Sequence, residues 1–199
     1  MERLQEKYKK EVIPAMMKKF GYKNPMAVPS IKKVVLNSSF GKDTVGKSAS
    51  EREKTQNLIM QDLSLIAGQH TNLVKSKKSI AGFKLRENLE IAAVVTLRKQ
   101  KAIDFLKKVL PVVDNKVSKR SFDLWGNFAF GLKEHIEIPG VKYDPEIGIF
   151  GMDICVSVNR PGQRLKTRRK QNKRIGPKHM LTPEESILFV KQTLGAEIV

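Results

Sequence analysis

The octapeptide Gly41-Lys-Asp-Thr-Val-Gly-Lys-Ser48 has the residue types and spacing of a phosphate-binding loop. In such a loop, backbone N–H groups cradle phosphates, Lys47 would meet the β- and γ-phosphates, and Ser48 would hold magnesium. A strand-like segment precedes it and a helix-like segment follows, as that chemistry requires. Three features weigh against it. Gly, Lys and Ser are common in this chain, so composition alone supplies the pattern readily. No strand offers four apolar residues ending in Asp; Asp153 comes nearest, but Gly148 and Gly151 interrupt the approach to it. The order of elements also lacks the strand–helix alternation of a parallel sheet. A small P-loop NTPase using Gly41–Ser48 is therefore the alternative reading.

The rest of the catalytic inventory is thin. His70, His135 and His179 are scattered without metal-ligand spacing. Glu134 and His135 are neighbours in an expected strand, which would send their side chains to opposite faces. Cys155, the single cysteine, lies in an apolar segment and is expected to pack as a small hydrophobe. No Ser sits in a nucleophile elbow. We expect no catalytic residue, no metal ligand and no cofactor, and no enzyme.

Binding chemistry is more visible. Thirty-eight Lys and Arg stand against 20 acids, a formal charge of +18. Charge of that size is stabilised by a polyanion, and nucleic acid is the commonest, because neutralised phosphates release their counterions. Lys75, Lys77, Lys78, Lys84 and Arg86 fall in one acid-free segment with Ser79, Gly82 and Phe83. Between two strands it would project as a loop, its cations on a phosphate backbone and Phe83 on a base or ribose. Arg160, Arg164, Lys166, Arg168, Arg169, Lys170, Lys173, Arg174 and Lys178 form a second acid-free stretch. Pro161, Gly162, Gly176 and Pro177 keep it from being one helix, so an RNA-binding arm is expected. A basic membrane-surface protein is a third reading, but it lacks a basic amphipathic helix with exposed aromatics. No apolar run reaches membrane-spanning length and the opening MERLQEKYKKEV has no signal core, so a cytoplasmic location is expected.

The elements that must carry these segments can be read from periodicity. Leu4, Tyr8, Val12, Met16 and Phe20 recur every fourth position, a helix that Pro14 should kink or restart and Gly21 should end. Ile31–Ser38 reads as a strand. A capping box at Ser50–Glu53 opens a second helix that Gly68 closes. Thr71–Lys75 and Ile91–Leu97 read as strands, and Ala102–Val113 as a helix. Gly126-Asn127 should turn into a strand running through Ile138, and Met152–Val158 is a further strand. Thr182-Pro183-Glu184-Glu185 is a complete helix start, with Gly195 after the end. The order predicts one α+β domain over 1–199, a mostly antiparallel sheet packed against helices, with projecting basic loops at 75–90 and 159–181.

Three blocks taken in order carry a family resemblance. YKKEVIPAMMKKFGYKNPMAVPSIKKVVLN, LSLIAGQHTNLVKSKKSIAGFKLRE and SFDLWGNFAFGLKEHIEIPGVKYDPEIGIFGMDI resemble the fifth large-subunit ribosomal protein, the L-five family, across nearly the whole chain. The resemblance implies a structural, ribosome-bound protein that binds 5S rRNA in the central protuberance, beside other central-protuberance proteins and large-subunit rRNA. It places Asn37, Gln69 and Thr71 near 5S rRNA, with Lys33 and Thr96 as further rRNA contacts. It implies that the Lys75–Arg86 loop approaches P-site tRNA and that the protein joins an intersubunit bridge with small-subunit protein S-thirteen. Two departures stand out. Ser38-Ser39-Phe40-Gly41 replaces the Met-Gly pair that bacterial members usually carry after Asn37. The arm, with Arg164, Arg168, Arg169, Lys170, Lys173 and Arg174 as its rRNA contacts, is similar to archaeal and eukaryotic versions, whereas the front half looks bacterial.

Overall fold

The computed structural model describes residues 4–41, 48–141 and 148–199. In chain order it contains α1 (Leu4–Lys7), α2 (Ile13–Phe20), β1 (Ser30–Ser39), α3 (Ala49–Ala67), β2 (Asn72–Lys75), β3 (Glu90–Leu97) and α4 (Lys99–Val109). Then come β4 (Lys116–Val117), β5 (Phe128–Leu132), β6 (Met152–Asn159), α5 (Arg164–Thr167), α6 (Pro183–Leu194) and β7 (Glu197–Ile198). Five strands form one sheet in the order β2-β3-β1-β6-β5, while β4 and β7 make a separate parallel pair. β3 runs antiparallel to both β1 and β2, with Val35 opposite Thr96 and Leu73 opposite Ala93. This is the expected α+β class with a mostly antiparallel sheet.

The chain divides into two compact units, one of residues 34–108 and 131–154, the other of 1–33, 109–130 and 155–199. In the first, β1 turns Val34, Leu36 and Ser38 inward and β3 turns in Ala93, Val95 and Leu97. Period-two alternation thus leaves one face of these strands half-open. α3 lays Gln56, Ile59, Leu63 and Ala67, a stripe at helical spacing, on the covered side. α4 adds Ala102, Phe105 and Leu106. In the second unit, Val12 and Met16 are buried, and Tyr8 meets Phe189 edge-on at 6.2 Å. Pro14 has no N–H to give to the preceding turn, which widens into a π-turn at Tyr8–Val12 before α2 resumes. α6 has the predicted start, with Thr182 and Glu185 bonding each other's backbone, and Gly195 ends it at φ +68°.

Four expectations need correction. The α3 cap is Ser48, whose hydroxyl accepts from Glu51 N–H while the Glu51 carboxylate accepts from Ser48 N–H. Ser50 also precedes an acid by three positions, but it lies inside the helix. β5 stops at Leu132, not at Ile138. His135 sits instead in a 3₁₀ turn, fully buried, its ring stacked on Phe150 at 3.9 Å. Its Nδ1 accepts the Phe150 N–H at 3.3 Å, a bond that holds the turn away from the ladder. The opposed Glu134 and His135 strand faces therefore do not exist. Cys155 is exposed, because Met152, Ile154, Val156 and Val158 take the inward row of β6. Among the described residues no helix is long and apolar enough to cross a membrane.

Candidate nucleic-acid interface

The basic segment between β2 and β3 is a hairpin that braces itself. The Ser76 N–H donates to the Leu89 carbonyl at 2.7 Å, and the Asn88 N–H returns to the Ser76 carbonyl at 3.0 Å. The Glu87 N–H donates to the Ser79 hydroxyl at 2.9 Å. Ile80 and Leu85 then exchange both backbone bonds, which leaves a four-residue tip. Lys84 closes that tip in the left-handed region at φ +52°. Phe83 is 69% exposed, so it is offered outward and does not fold back onto a core. Lys77, Lys78, Lys84 and Arg86 are exposed, and none has an ion pair among the described residues. Lys75 meets Glu90 at 3.7 Å, a solvent-exposed pair of small energetic value. The result is an aromatic knob ringed by cations on a stiff stem, a shape suited to a ribose–phosphate backbone.

The half-open face of the sheet holds a second group. On β1, Lys33 and Asn37 alternate on the same side, opposite to buried Val34, Leu36 and Ser38. Asn37 pairs with Val94, and Thr96 lies two residues along β3 on that same side. Gln69 reaches this strand, its amide donating to the Thr96 carbonyl at 3.1 Å. Gln69 is exposed and bonded to the strand that carries Thr96, while Asn37 and Thr96 are half-buried on the open side of the sheet. Thr71 is different. It is fully buried, its hydroxyl donating to the Met60 carbonyl at 2.7 Å and its N–H to the Ser64 hydroxyl at 3.2 Å. It fastens the turn that carries Gln69, and its side chain faces no solvent.

The arm from Asn159 to Leu181 is more built than its composition suggests. α5 gives it one helical turn, and the Lys173 N–H donates to the Leu165 carbonyl at 3.2 Å. The Arg168 guanidinium donates to the Gln171 carbonyl at 2.7 Å, and the His179 ring meets the Pro161 carbonyl at 2.8 Å. Arg164, Lys166, Arg169, Lys170, Lys173 and Arg174 are exposed, and none has an ion pair among the described residues. Arg160, counted from sequence among the arm's cations, is not part of that surface. It donates to Glu185 at 2.6 Å and lies over the Tyr22 ring at 5.1 Å, with its side chain only 8% exposed. Tyr22 donates to the same carboxylate oxygen at 2.6 Å. Its hydroxyl is pushed up to about 12, first by burial and then by the bond to Glu185. This triad staples the root of the arm to α6. Sequence reasoning missed it because an Arg 25 positions from its Glu gives no local signal.

The nucleotide-binding alternative rests on Gly41–Ser48, of which residues 42–47 lie outside the described part of the chain. Of its ends, Ser48 is the α3 cap and hydrogen-bonds Glu51 and Ser50. β1, the strand before the motif, runs antiparallel to β3, unlike the parallel neighbours of a P-loop sheet. Among the described residues no three His, Cys, Asp or Glu lie close enough to hold a metal ion.

Residues 24–86 match the family model described as Ribosomal protein L5, and residues 90–189 match the model described for the C-terminus of the same ribosomal family. The chain is 41% identical over 175 residues to the large ribosomal subunit protein uL5 of Pyrobaculum aerophilum, covering 88% of this chain and 93% of that one. It is 40% identical over 169 residues to uL5 of Sulfolobus acidocaldarius, with 85% and 93% covered. It is 46% identical over 158 residues to uL5 of Clostridium tetani, with 76% and 84% covered. The first matched segment contains the hairpin tip that presents Phe83, and the second contains the arm. The open sheet face draws on both, Asn37 and Gln69 from the first and Thr96 from the second. This chain belongs to the ribosomal protein L5 family.

Proposed function

We propose that this protein is a structural constituent of the large ribosomal subunit, working in the cytoplasmic ribosome, that anchors 5S rRNA and presents its hairpin to P-site tRNA. Family membership supports the ribosomal part, and the self-braced cationic hairpin with Phe83 outward is the single observation that carries the tRNA part. In this reading Lys33, Asn37, Gln69 and Thr96 meet 5S rRNA across the half-open sheet face. Thr71 acts there as a positioning residue, holding Gln69 in place. Arg164, Arg168, Arg169, Lys170, Lys173 and Arg174 supply phosphate contacts to large-subunit rRNA. Lys75, Lys77, Lys78, Lys84 and Arg86 do the same for tRNA, with Phe83 on a ribose or base and Ser79 shaping the hairpin. Other central-protuberance proteins and small-subunit protein S-thirteen complete the surroundings, the latter through an intersubunit bridge. No step in this role needs a catalytic group or a cofactor.

Two terms set the affinity. Counterion release makes the cations bind any RNA, with a steep salt dependence. The amides and hydroxyl on the sheet face add hydrogen bonds that only a matching RNA surface satisfies. The test is competition: 5S rRNA against excess random-sequence RNA, repeated as salt rises. Preference for 5S rRNA that persists at high salt supports the reading. Loss of both RNAs together, with one slope, refutes it. An Asn37→Ala, Gln69→Ala pair should lower 5S rRNA affinity and leave the random-RNA affinity unchanged.

A further inference from the structure

We infer that Trp125 and the root of the arm form an additional RNA subsite that takes one unpaired nucleotide, its base stacked on the indole and its phosphate on Lys166. This rests on the RNA-binding role proposed above and goes beyond the sheet face and the hairpin. Trp125 is the single tryptophan of the chain and is 51% exposed, although its indole could have been buried. The turn that holds it is fixed from both sides. The Asp123 carboxylate accepts from Trp125 N–H at 2.8 Å, from Asn127 N–H at 2.7 Å and from the Asn127 amide at 2.7 Å. Gly126, at φ +77°, lies so close to α6 that a Cβ would come within 2.8 Å of the Ser186 Cβ, and the Ser186 hydroxyl donates to the Gly126 carbonyl. A half-exposed aromatic on so constrained a turn is positioned for a partner.

The surroundings say which partner. Trp125 shares a cleft with Gln163, Lys166, Ile175, His179 and Leu181. Among the described residues no acid lines this cleft, and two acids of the adjoining turn and helix start are engaged, Asp123 by three N–H groups and Glu185 by Arg160 and Tyr22. Lys166 is exposed, and Arg164 and Arg169 stand close to it in sequence. An aromatic face with cations and no acid in the cleft lining complements a base with its phosphates, through stacking, cation–π attraction and counterion release. The cleft encloses about 60 Å³, too little for a whole base, so the base lies on the Trp125 face at the rim. Duplex RNA cannot make this contact, because its bases are already stacked within the helix.

Because no other tryptophan contributes, the tryptophan emission of this chain, excited selectively at the red edge of its absorption, reports this site alone. The probes are a ten-residue oligoadenylate, a duplex RNA of equal length and 5S rRNA. Oligoadenylate is expected to quench Trp125, and the duplex is not. Trp125→Ala should lower oligoadenylate affinity, measured by filter binding, roughly tenfold. Trp125→Phe should keep most of it, and Lys166→Ala should weaken it and flatten the salt slope. Melting temperature serves as the folding control for each variant. Equal quenching by duplex, or unchanged affinity in a folded Trp125→Ala, overturns the inference. So does an emission change that follows protein concentration without RNA, which would mark a contact between copies of the chain. Selective 5S rRNA binding with a silent Trp125 would sink this subsite alone, whereas loss of 5S rRNA selectivity would sink the broader reading.

Discussion

Glu185→Ala is the substitution for which the structure sets the clearest energetic expectation. One carboxylate oxygen accepts from both the Arg160 guanidinium and the Tyr22 hydroxyl at 2.6 Å. The other accepts from Thr182 N–H at 3.1 Å and completes the cap of α6. The Arg160 and Glu185 side chains are 8% and 11% exposed, so this is a buried pair and not a surface one. Deleting one member of a buried pair leaves the other charge unsolvated, at a cost of about 3–5 kcal/mol. For a chain of this length that corresponds to a fall in Tm of roughly 6–20 °C. Circular dichroism during thermal and urea unfolding at neutral pH measures both quantities. The double variant Arg160→Met, Glu185→Ala should cost less than the two singles together by about 2 kcal/mol or more, because no charge is left stranded. A single-variant cost below about 1 kcal/mol would show that water reaches the triad and that the buried-pair argument is wrong. Additive singles would show that Arg160 and Glu185 do not act on each other.

Three further outcomes are expected. Gly126→Ala should destabilise by roughly 2–4 kcal/mol, since it puts a Cβ 2.8 Å from Ser186 at φ +77°; a urea midpoint equal to wild type would contradict that packing. Phe83→Ala should leave stability within about 0.5 kcal/mol yet weaken tRNA binding roughly fivefold or more at an unchanged salt slope. Lys77→Ala with Lys78→Ala should instead lower that slope, by about one unit for each cation. Tyr22 has its hydroxyl raised from 10.0 in the unfolded chain to about 12 in the fold. Its contribution is complete below pH 10 and is lost as pH rises through about 12, so stability falls across that window. Tyr22→Phe should show a shallower decline between pH 10 and about 12 in urea midpoints, and a parallel decline would exclude Tyr22 as the group responsible.

Local chemistry made much of this fold legible. Thr182-Pro183-Glu184-Glu185 specifies a helix start within four residues, and the periodicities of 31–38, 91–97 and 152–158 specify strands. Both basic segments could be found by charge alone. What escaped depends on partners far along the chain. β4 and β7 are two-residue strands whose pairing carries no periodicity. Ser48 and Ser50 both precede an acid by three positions, and only the path of the chain decides which one caps. His135 left the expected strand because Phe150 stacks on it from 15 positions away. Thr71 could be assigned to a block expected to face RNA but not to the inside of that block, where Met60 and Ser64 hold it. Arg160 resembled its neighbours in the arm until Glu185 and Tyr22 were seen around it.

The rungs that brace the hairpin from Ser76 to Leu89 also bear on timing. A tip already shaped before its partner arrives needs no folding step on encounter, so association proceeds at a rate set by diffusion and long-range attraction. In the proposed role its contact would also be small, one aromatic ring and a few cations, so dissociation would be fast as well. Under the role proposed here, tRNA arrives and departs repeatedly, and short residence suits it. The arm has a broader array of exposed cations and is suited to rRNA that stays in place once assembled. In that role one chain would carry a quick contact on its hairpin and a durable one on its arm, separated by lifetime.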